Sequence, residues 1–236
     1  SRSRFRTVLI VFQFAVSVLL LIMTGVILAQ IRFMRTKDVG YDRKRVAVVR
    51  LDAPGSRSAV ETLKERFRGL PEVVAVGASS HAPDWGARRN LCLPEGFALE
   101  ELPMVGIVNI DQDYLDAMRI KVVKGRGFSR DFPADPSRSV LINETAARRF
   151  GWDDPVGKTI REGDAVAALK TVVGVVRDFH FMNVRQAIEP MMLVCDPQRV
   201  GALTVRLSPG SPAEGLNGLR QAWRETTGGA PFDYYL

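Results

Sequence analysis

The sequence contains few of the residues that bind metals or build disulfide frameworks. Its 236 residues include only two cysteines, Cys92 and Cys195, and two histidines, His81 and His180. Two cysteines cannot form a framework of several bridges, and they lack the C-x-x-C spacing typical of zinc sites. One bond between them is open in an oxidising compartment, although two independent buried thiols are the favoured interpretation. We predict no metal site and no cofactor.

Charge is absent from the stretch between Val8 and Ile31, which has only four residues with hydrogen-bonding side chains. As a helix this stretch spans roughly 36 Å, enough to cross a hydrocarbon core of about 30 Å. A cleaved signal peptide has a shorter apolar region followed by a small-x-small cleavage site, and the sequence has neither. We therefore predict a transmembrane helix that is retained.

Three polar residues of this helix, Gln13, Ser17 and Thr24, fall within about 40° of one another on a helical wheel. Unpaired amides and hydroxyls are costly in hydrocarbon, so the stripe is predicted to face other helices rather than lipid. The alternative is a single anchor in which Ser17 and Thr24 bond back to their own helix. Gln13 is harder to explain that way, which favours a helix bundle.

Positive charge is concentrated beside the apolar stretch. The chain has a net charge of +7, and residues before Val46 contribute all of it, with nine basic residues against Asp38 and Asp42. The remaining 24 basic and 24 acidic residues balance. Basic flanks suit anionic lipid headgroups, whereas a neutral remainder has no footprint for nucleic-acid phosphates. Nucleic acid is therefore excluded as a partner. Because basic residues lie on both flanks of the helix, charge alone leaves its orientation in the membrane undecided.

The remainder of the chain carries two similar strand-helix-strand patterns. The first has strands over 45–51 and 72–79 around a helix that begins at the capping box Ser58-x-x-Glu61. The second has strands over 203–207 and 232–236 around a helix that begins at Ser211-x-x-Glu214, with Pro212 at the first helical position. Because both first strands contain Val-Arg-Leu, we predict that the two units share one two-layer domain and that the segment between them is an insertion.

The insertion is predicted to contain further strands and two short helices. The strands cover 104–110, 139–142, 169–177 and 191–195, one helix runs over 143–150, and Asp111 caps the other helix. The Pro- and Gly-rich segment 81–101 is predicted as a loop. The fold class is α+β: an N-terminal transmembrane helix (1–40) followed by a two-lobe α/β domain. We predict one lobe from 41–110 with 201–236, and an inserted lobe from 111–200.

Three motifs resemble catalytic or binding signatures without completing them. Gly157-Lys158-Thr159 resembles the end of a phosphate-binding loop, but Trp152 stands where the first glycine is needed. A turn that leads into a strand is the better interpretation. Ser79, Ser80, His81 and Asp84 supply the residue types of a hydrolase triad without a G-x-S-x-G elbow. Asp178 and His180 share a strand face but lack a third ligand, so a structural histidine is favoured. We predict no catalytic residue.

Several stretches together resemble the MacB-like (FtsX-type) permease subunits of ABC transporters, and in this order they are specific. They are Phe5-Arg6, Val11-Phe12-Gln13-Phe14 with Ser17, Gln30-Ile31-Arg32-Phe33-Met34, Lys37-Asp38-Val39-Gly40-Tyr41, Val140-Leu141-Ile142-Asn143-Glu144 with Ala146, Asp154-Pro155-Val156-Gly157-Lys158, Gly174-Val175-Val176-Arg177-Asp178-Phe179-His180-Phe181, and Ile188-Glu189-Pro190. The resemblance implies a porter-like lobe split by an inserted sabre-like lobe. The helix is most similar to the second repeat of duplicated permeases, and the chain has the ends expected of an excerpt.

The resemblance also implies a function and a location. Residues before the helix would be cytoplasmic and residues after about 40 extracytoplasmic, in the inner (plasma) membrane. The chain would pass ATP-driven conformational change across the membrane to export or extract peptides, lipoproteins, lipids or drugs. Implied partners are an ABC ATP-binding subunit that hydrolyses the ATP, a second permease half or homodimer partner, membrane lipid and a periplasmic adaptor. The alternative is a membrane-anchored sensor that binds a ligand between the lobes.

Overall fold

The computed structural model describes residues 2–36, 40–82, 86–163, 168–181, 187–210 and 212–236. The chain divides into two compact units, Ser1–Asp38 and Val39–Leu236. Three features predicted above fall outside the described residues: the start of the connector at 37–39, the carboxylate of Asp84, and Ser211 of the second capping box.

The first unit is a single helix, α1 (Arg2–Thr36). Its segment Arg6–Gln30 is 25 residues long, contains no buried residue, and has the length and apolar composition of a membrane span. Large apolar side chains point outward all around it, among them Leu21, which is 73% exposed, and Phe14, which is 71% exposed. A helix that is apolar on every side requires an apolar surrounding medium.

One half of the second unit is a four-stranded antiparallel sheet. Its elements are β1 (Val46–Arg50), α2 (Val60–Arg68), β2 (Val73–Ser79), β10 (Ala202–Leu207), α6 (Pro212–Thr227) and β11 (Tyr234–Tyr235). The strand order is β11-β1-β10-β2, so the first strand of each strand-helix-strand unit lies between the two strands of the other. This interlocked arrangement is the split β-α-β of ferredoxin-like folds. It confirms that the two predicted units share one sheet.

The two faces of this sheet bury different cores because side chains alternate along each strand. Ala47 and Val49 of β1 pack in a cluster with Leu63 and Phe67 of α2 and with Trp223 of α6. Val46 and Val48 of β1 point to the opposite face and join a second cluster. The helices therefore cover one face only, and the other face is available to the rest of the domain.

The other half of the unit is a closed barrel of six strands among the described residues. The ring runs β4-β3-β7-β8-β6-β9 and closes through a parallel pairing of β9 with β4. The strands are β3 (Arg88–Pro94), β4 (Met104–Ile110), β6 (Ser139–Asn143), β7 (Thr159–Glu162), β8 (Leu169–Val176) and β9 (Met191–Cys195). Alternate residues of all six strands form one buried cluster, which fills the barrel. Helix α5 (Glu144–Arg149) contributes Ala146 and Ala147 to it.

The cluster that Val46 and Val48 join lies between the barrel wall and the uncovered face of the ferredoxin-like sheet. It contains α3 (Tyr114–Met118), which follows β4 and packs on β2 and β10. The remaining elements, β5 (Val122–Gly125) and α4 (Asp135–Arg138), flank the barrel, and β5 extends its wall by pairing with β8. The two sheets meet where Ser79 pairs with Ile110, and the Ser80 N–H and Asp111 N–H donate to the Asn109 and Ala78 carbonyl oxygens at 2.8 and 3.0 Å. The predicted lobe boundaries at 110 and 200 stay a prediction, because residues 39–236 form one compact unit.

Three local predictions were wrong. Segment 81–101 contains β3, whose polar residues Arg88 to Asn90 hide the strand pattern, and a 3-10 turn at Leu99–Glu101. Ser58 does not cap α2, because its Oγ donates to the Gly55 carbonyl oxygen at 2.9 Å. Asp111 is not the N-cap of α3, which is Asp113; the Asp111 carboxylate accepts the Asp113 N–H at 3.1 Å and pairs with Lys64. The predicted helix start at Asn143 is confirmed, since its side chain accepts from the Ala146 N–H at 2.9 Å.

We expect Gly77→Ala to lower the melting temperature by several degrees. A Cβ at Gly77 would lie 2.5 Å from the Cα of Tyr114 on α3. Backbone cannot yield as a side chain can, so the cost should be about 1–3 kcal/mol. Thermal unfolding of the detergent-purified protein, followed by circular dichroism, measures it. In the control Gly210→Ala the new Cβ has no atom within 4 Å, so its melting temperature should stay close to wild type. An equal loss of melting temperature in the two variants would contradict the packing of α3 on β2.

Candidate functional site

The predicted polar stripe lies on the exposed surface of α1, and its hydroxyls are bonded within the helix. Ser17 Oγ donates to the Gln13 carbonyl oxygen at 2.9 Å, and Thr24 Oγ1 donates to the Leu20 carbonyl oxygen at 2.8 Å. This is the back-bonding that the anchor alternative assigned to these two residues. The stripe as a packing surface stays a prediction, and it now depends mainly on the side-chain amide of Gln13.

The serines and the histidine of the triad-like segment have structural contacts. Ser80 Oγ accepts the Asn109 N–H at 3.1 Å and lies 2.9 Å from Nδ1 of His81. Ser79 Oγ donates to the His81 carbonyl oxygen at 2.7 Å. Both serines thus fix the chain where β2 meets β4.

The prediction that Asp178 and His180 share a strand face was wrong, because β8 ends at Val176 and both residues lie in the segment after it. The carboxylate of Asp178 accepts the N–H and the hydroxyl of Thr145, both at 2.8 Å, and pairs with Arg148 at 2.7 Å, so it caps the start of α5. His180 is 7% exposed. Among the described residues, no group of three His, Cys, Asp or Glu side chains is placed to hold a metal ion.

Gly157-Lys158-Thr159 is the turn that leads into β7, as predicted. Gly157 has a φ of +91°, and the side chains of Lys158 and Thr159 both bond to the carboxylate of Glu95. Cys92 and Cys195 are free and buried, which confirms the interpretation as separate thiols. Burial raises the pKa of both to about 12.

The connector after α1 is held against the domain by close contacts. Gly40 has a φ of +81°, and a Cβ there would lie 2.3 Å from the Asp178 carbonyl oxygen and 2.7 Å from the Phe179 Cα. Only glycine fits this approach and this backbone conformation. The ring of Tyr41 packs edge-on against Phe179 with centroids 6.4 Å apart. Two of the stretches that carry the family resemblance, Gly40-Tyr41 and 174–181, are therefore in direct contact.

Arg206 on β10 holds the next residues of the chain. Its side chain is 2% exposed, and its guanidinium donates to four oxygens from two segments. Nε donates to the Ala117 carbonyl at 2.7 Å, Nη2 to the Asp42 carbonyl at 2.8 Å, and Nη1 to the Lys44 carbonyl and the Asp42 carboxylate at 3.1 and 3.2 Å. A buried arginine of this kind fixes its partners because any displacement leaves charge and carbonyls unpaired.

The electrostatics of this clamp favour the ionised pair at Asp42. Burial raises the pKa of Asp42, but the Lys44 N–H and the charges of Arg206 and Arg119 outweigh it, so the pKa lies below the usual value. Burial lowers the pKa of Arg206, and Asp42 partly offsets that effect. We name Gly40, Tyr41, Asp42, Phe179 and Arg206 the connector clamp. It fixes the described residues from Gly40 to Lys44 to the rest of the domain.

A second ionic cluster ties α2 to the segment after β4. Lys64 and Asp111 are both 1% exposed and pair directly. Asp113 accepts from Lys64 at 3.0 Å, from Arg130 at 2.6 and 2.7 Å, and also from Arg68. Burial raises the pKa of Asp111, against the effect of Lys64. Burial also acts to raise the pKa of Asp113, but Arg130 and Lys64 together hold it well below its usual range.

Comparison with known proteins gives the family. The model of the MacB-like periplasmic core domain matches residues 7–218. The chain belongs to this family. Among solved structures, it is similar to the periplasmic region of MacB from Actinobacillus actinomycetemcomitans, with 15% identity, a TM-score of 0.59, and coverage of 83% of this chain and 90% of that one.

A second solved structure is similar over a comparable length. It is the extracellular domain of the noncanonic ABC-type transporter YknZ from Gram-positive bacteria, with 16% identity, a TM-score of 0.56, and coverage of 80% and 97%. At such identities the likeness shows the fold alone. No curated protein sequence matches the chain. The family and the apolar helix together indicate a membrane protein whose domain lies outside the cytoplasm.

The sequence analysis did not single out the clamp arginine or the buried lysine. Arg206 stands in Leu-Thr-Val-Arg-Leu, a strand whose every residue is buried, and Lys64 follows Leu63 on the buried side of α2. A charged residue inside an otherwise apolar pattern was the available signal. The carboxylate partners, Asp42 and Asp111, lie in distant segments and gave no local sign of pairing.

We expect Arg206→Met to lower the free energy of unfolding by about 3–5 kcal/mol, because it removes the arginine donor from three carbonyls and the buried one of two arginines from the Asp42 carboxylate. Urea unfolding of the purified protein measures the loss. The matched control is Arg119→Met, which removes the other arginine at Asp42; that side chain is 54% exposed and should cost at most about 1 kcal/mol. Similar losses for the two variants would contradict a buried clamp.

Asp113→Asn should make stability less dependent on pH in the acid range. Since the folded state depresses the pKa of Asp113, its carboxylate stabilises the fold above the unfolded pKa of about 4 and loses that effect as pH falls further. The melting temperature of the variant should lie below wild type at neutral pH, and the difference should narrow below about pH 4. The control Asp154→Asn removes an exposed carboxylate. If the difference in melting temperature between Asp113→Asn and wild type stays constant with pH, the lowered pKa of Asp113 is refuted.

Proposed function

We propose that this chain is the extracytoplasmic core and one membrane helix of an ABC transporter permease. In this proposal α1 crosses the inner (plasma) membrane, and residues after about 40 lie outside the cytoplasm. The chain carries ATP-driven movement across the membrane for export or extraction of a substrate. ATP hydrolysis belongs to a separate ABC ATP-binding subunit, and the chain itself is not an enzyme.

The connector clamp is the observation that supports this proposal best. A flexible linker between a membrane helix and a soluble domain would dissipate any tilt or shift of the helix. Here Gly40 lies against the backbone of Phe179, and Asp42 is bonded to buried Arg206. Movement that reaches residue 40 is therefore passed to β10 and α3 together, as expected for rigid-body transmission.

The ionic cluster at Lys64 supports transmission within the domain. The two sheets are joined by the short pairing of β2 with β4 and by the buried cluster between them, and the ionic cluster adds a further link. Lys64 and Arg68 of α2 bind Asp111 and Asp113 at the exit of β4. The porter-like lobe of 41–110 with 201–236 and the sabre-like lobe of 111–200 stay proposed lobes. Strands β3 and β4, which these bounds assign to the first lobe, belong to the barrel.

The proposed partners follow from the membrane helix. One helix makes no pathway, so we propose a second permease half or a homodimer partner, with Gln13, Ser17 and Thr24 as the packing stripe. The ABC ATP-binding subunit and a periplasmic adaptor complete the proposed assembly. A membrane-anchored sensor remains the competing function.

The test is purification of the full-length, membrane-extracted protein followed by an ATPase assay of whatever complex is obtained. We expect an ATP-binding subunit to co-purify, and Gln13→Leu to change its ATP turnover several-fold. The matched control is Ile22→Leu, nine residues along and on the opposite side of α1, which should leave turnover unchanged. If no ATPase co-purifies in several detergents, the permease proposal fails and the sensor is favoured. If Gln13→Leu leaves ATP turnover unchanged, only the proposed role of the stripe in helix packing is refuted, and the permease proposal stands.

A further inference from the structure

Six exposed basic side chains surround the place where the connector enters the domain. We name them the basic entry face: Arg43, Lys44, Arg45, Arg119, Lys121 and Arg177. They come from three segments that are far apart in the sequence. Only the first three belong to the basic flank of the apolar helix, so the face is a product of the fold.

Hydrogen bonds bring the first two segments together. The Asp42 N–H donates to the Met118 carbonyl oxygen at 3.3 Å, and Arg119 Nη1 lies 3.0 Å from Oδ2 of Asp42. The turn at 42–45 therefore lies directly beside the end of α3. Arg119 itself ends that helix in the left-handed conformation, with a φ of +55°.

The third segment joins through β5 and β8. Val122 pairs with Val176, and the Arg177 N–H donates to the Lys121 carbonyl oxygen at 2.8 Å. Val122 and Val176 pack into the core between the two sheets. Neighbouring residues of a strand point to opposite faces. Lys121 and Arg177 therefore both point to the outer surface, opposite one another on two paired segments of the chain.

The turn at 42–45 is built to present its basic residues. The Lys44 N–H donates to the Asp42 carboxylate at 3.0 Å, and the Leu207 N–H donates to the Arg45 carbonyl oxygen at 2.8 Å. Arg45 has a φ of +59°, a conformation that residues other than glycine rarely adopt. Such strain persists where the surrounding structure enforces it. Here it keeps three consecutive basic residues at the surface.

Among the described residues, the carboxylates close to the face are fewer than its six basic side chains. Asp42 is engaged by Arg206 as well as Arg119, and Asp178 is bonded to Thr145 and Arg148 at α5. Asp116 is the exposed carboxylate beside it. The face is therefore strongly positive, whereas the sequence after Val46 is balanced overall. A partner of this face must be anionic and must be able to reach the surface around residue 42.

We propose that the basic entry face binds the headgroups of anionic phospholipids in the outer leaflet. This rests on the proposed membrane placement of α1. Ten residues separate Gln30 from Gly40, and ten residues reach at most about 35 Å even when fully extended. The covalent chain thus limits how far the face can lie from Gln30. Once the face comes within a Debye length of about 10 Å of the headgroups, each basic residue strengthens attraction to anionic lipid about fivefold. Lipid bound to the basic entry face would restrain the residues of the connector clamp that lie beside it.

The experiment compares hydrogen exchange of the full chain in two kinds of nanodisc, pure phosphatidylcholine and phosphatidylcholine mixed with phosphatidylglycerol. We expect amides of 43–47 and 119–123 to exchange at least about fivefold more slowly with phosphatidylglycerol, and high salt to remove the effect. Lys121→Gln with Arg177→Gln should abolish most of it. Arg149→Gln with Arg220→Gln removes two exposed basic residues elsewhere and should leave it intact. Exchange in β9 reports whether each variant is folded.

Three results would overturn the proposal. Equal exchange in the two lipid mixtures would show that headgroup charge has no role. An equal effect of the control pair would show a general response to net charge. Slower exchange only after a partner protein is added would assign the face to an acidic protein surface instead. None of these outcomes bears on co-purification with an ATPase, so the proposed function is tested separately.

Discussion

Burial of the Arg206 guanidinium is the constraint on which the organisation of the domain depends. A charge removed from water is costly unless every donor is paired, and here four oxygens from the connector region and α3 pair with it. Those oxygens can be supplied only if α3 lies across β10 and the chain enters beside Lys44. The same residue thus sets the position of α3 and holds the segment from Asp42 to Lys44 against β10.

A comparison of two arginines shows how context, rather than local sequence, decides such roles. Val-Arg-Leu occurs in both β1 and β10, yet Arg50 is 36% exposed and pairs with Asp52 and Asp233, whereas Arg206 is buried. Arg50 lies near the edge of the sheet beside β11. Arg206 lies on a central strand under α3. The repeat correctly predicted two equivalent units, but it carried no information about which arginine would be enclosed.

The elements predicted most accurately are those with strong local patterns. The strands Met104–Ile110 and Met191–Cys195 and the helix start at Pro212 were all predicted at their observed limits. The closed barrel was not predicted, because its ring joins β9 to β4 and β7 to β3 across long stretches of chain. β3 escaped notice because Arg88, Arg89 and Asn90 break the alternation. The clamp and the ionic cluster are likewise set by distant pairings that one sequence does not encode locally.

The interlocked strand order has a consequence for the order in which the chain can fold. β1 and β2 are separated in the sheet by β10, which is made more than a hundred residues later. Until β10 arrives, the facing edges of β1 and β2 have no partner, and the apolar face of α2 has only half its core. Such non-local pairing slows folding and leaves strand edges exposed to other chains. The ferredoxin-like half can therefore close only after the barrel sequence has been synthesised and moved to the same side of the membrane.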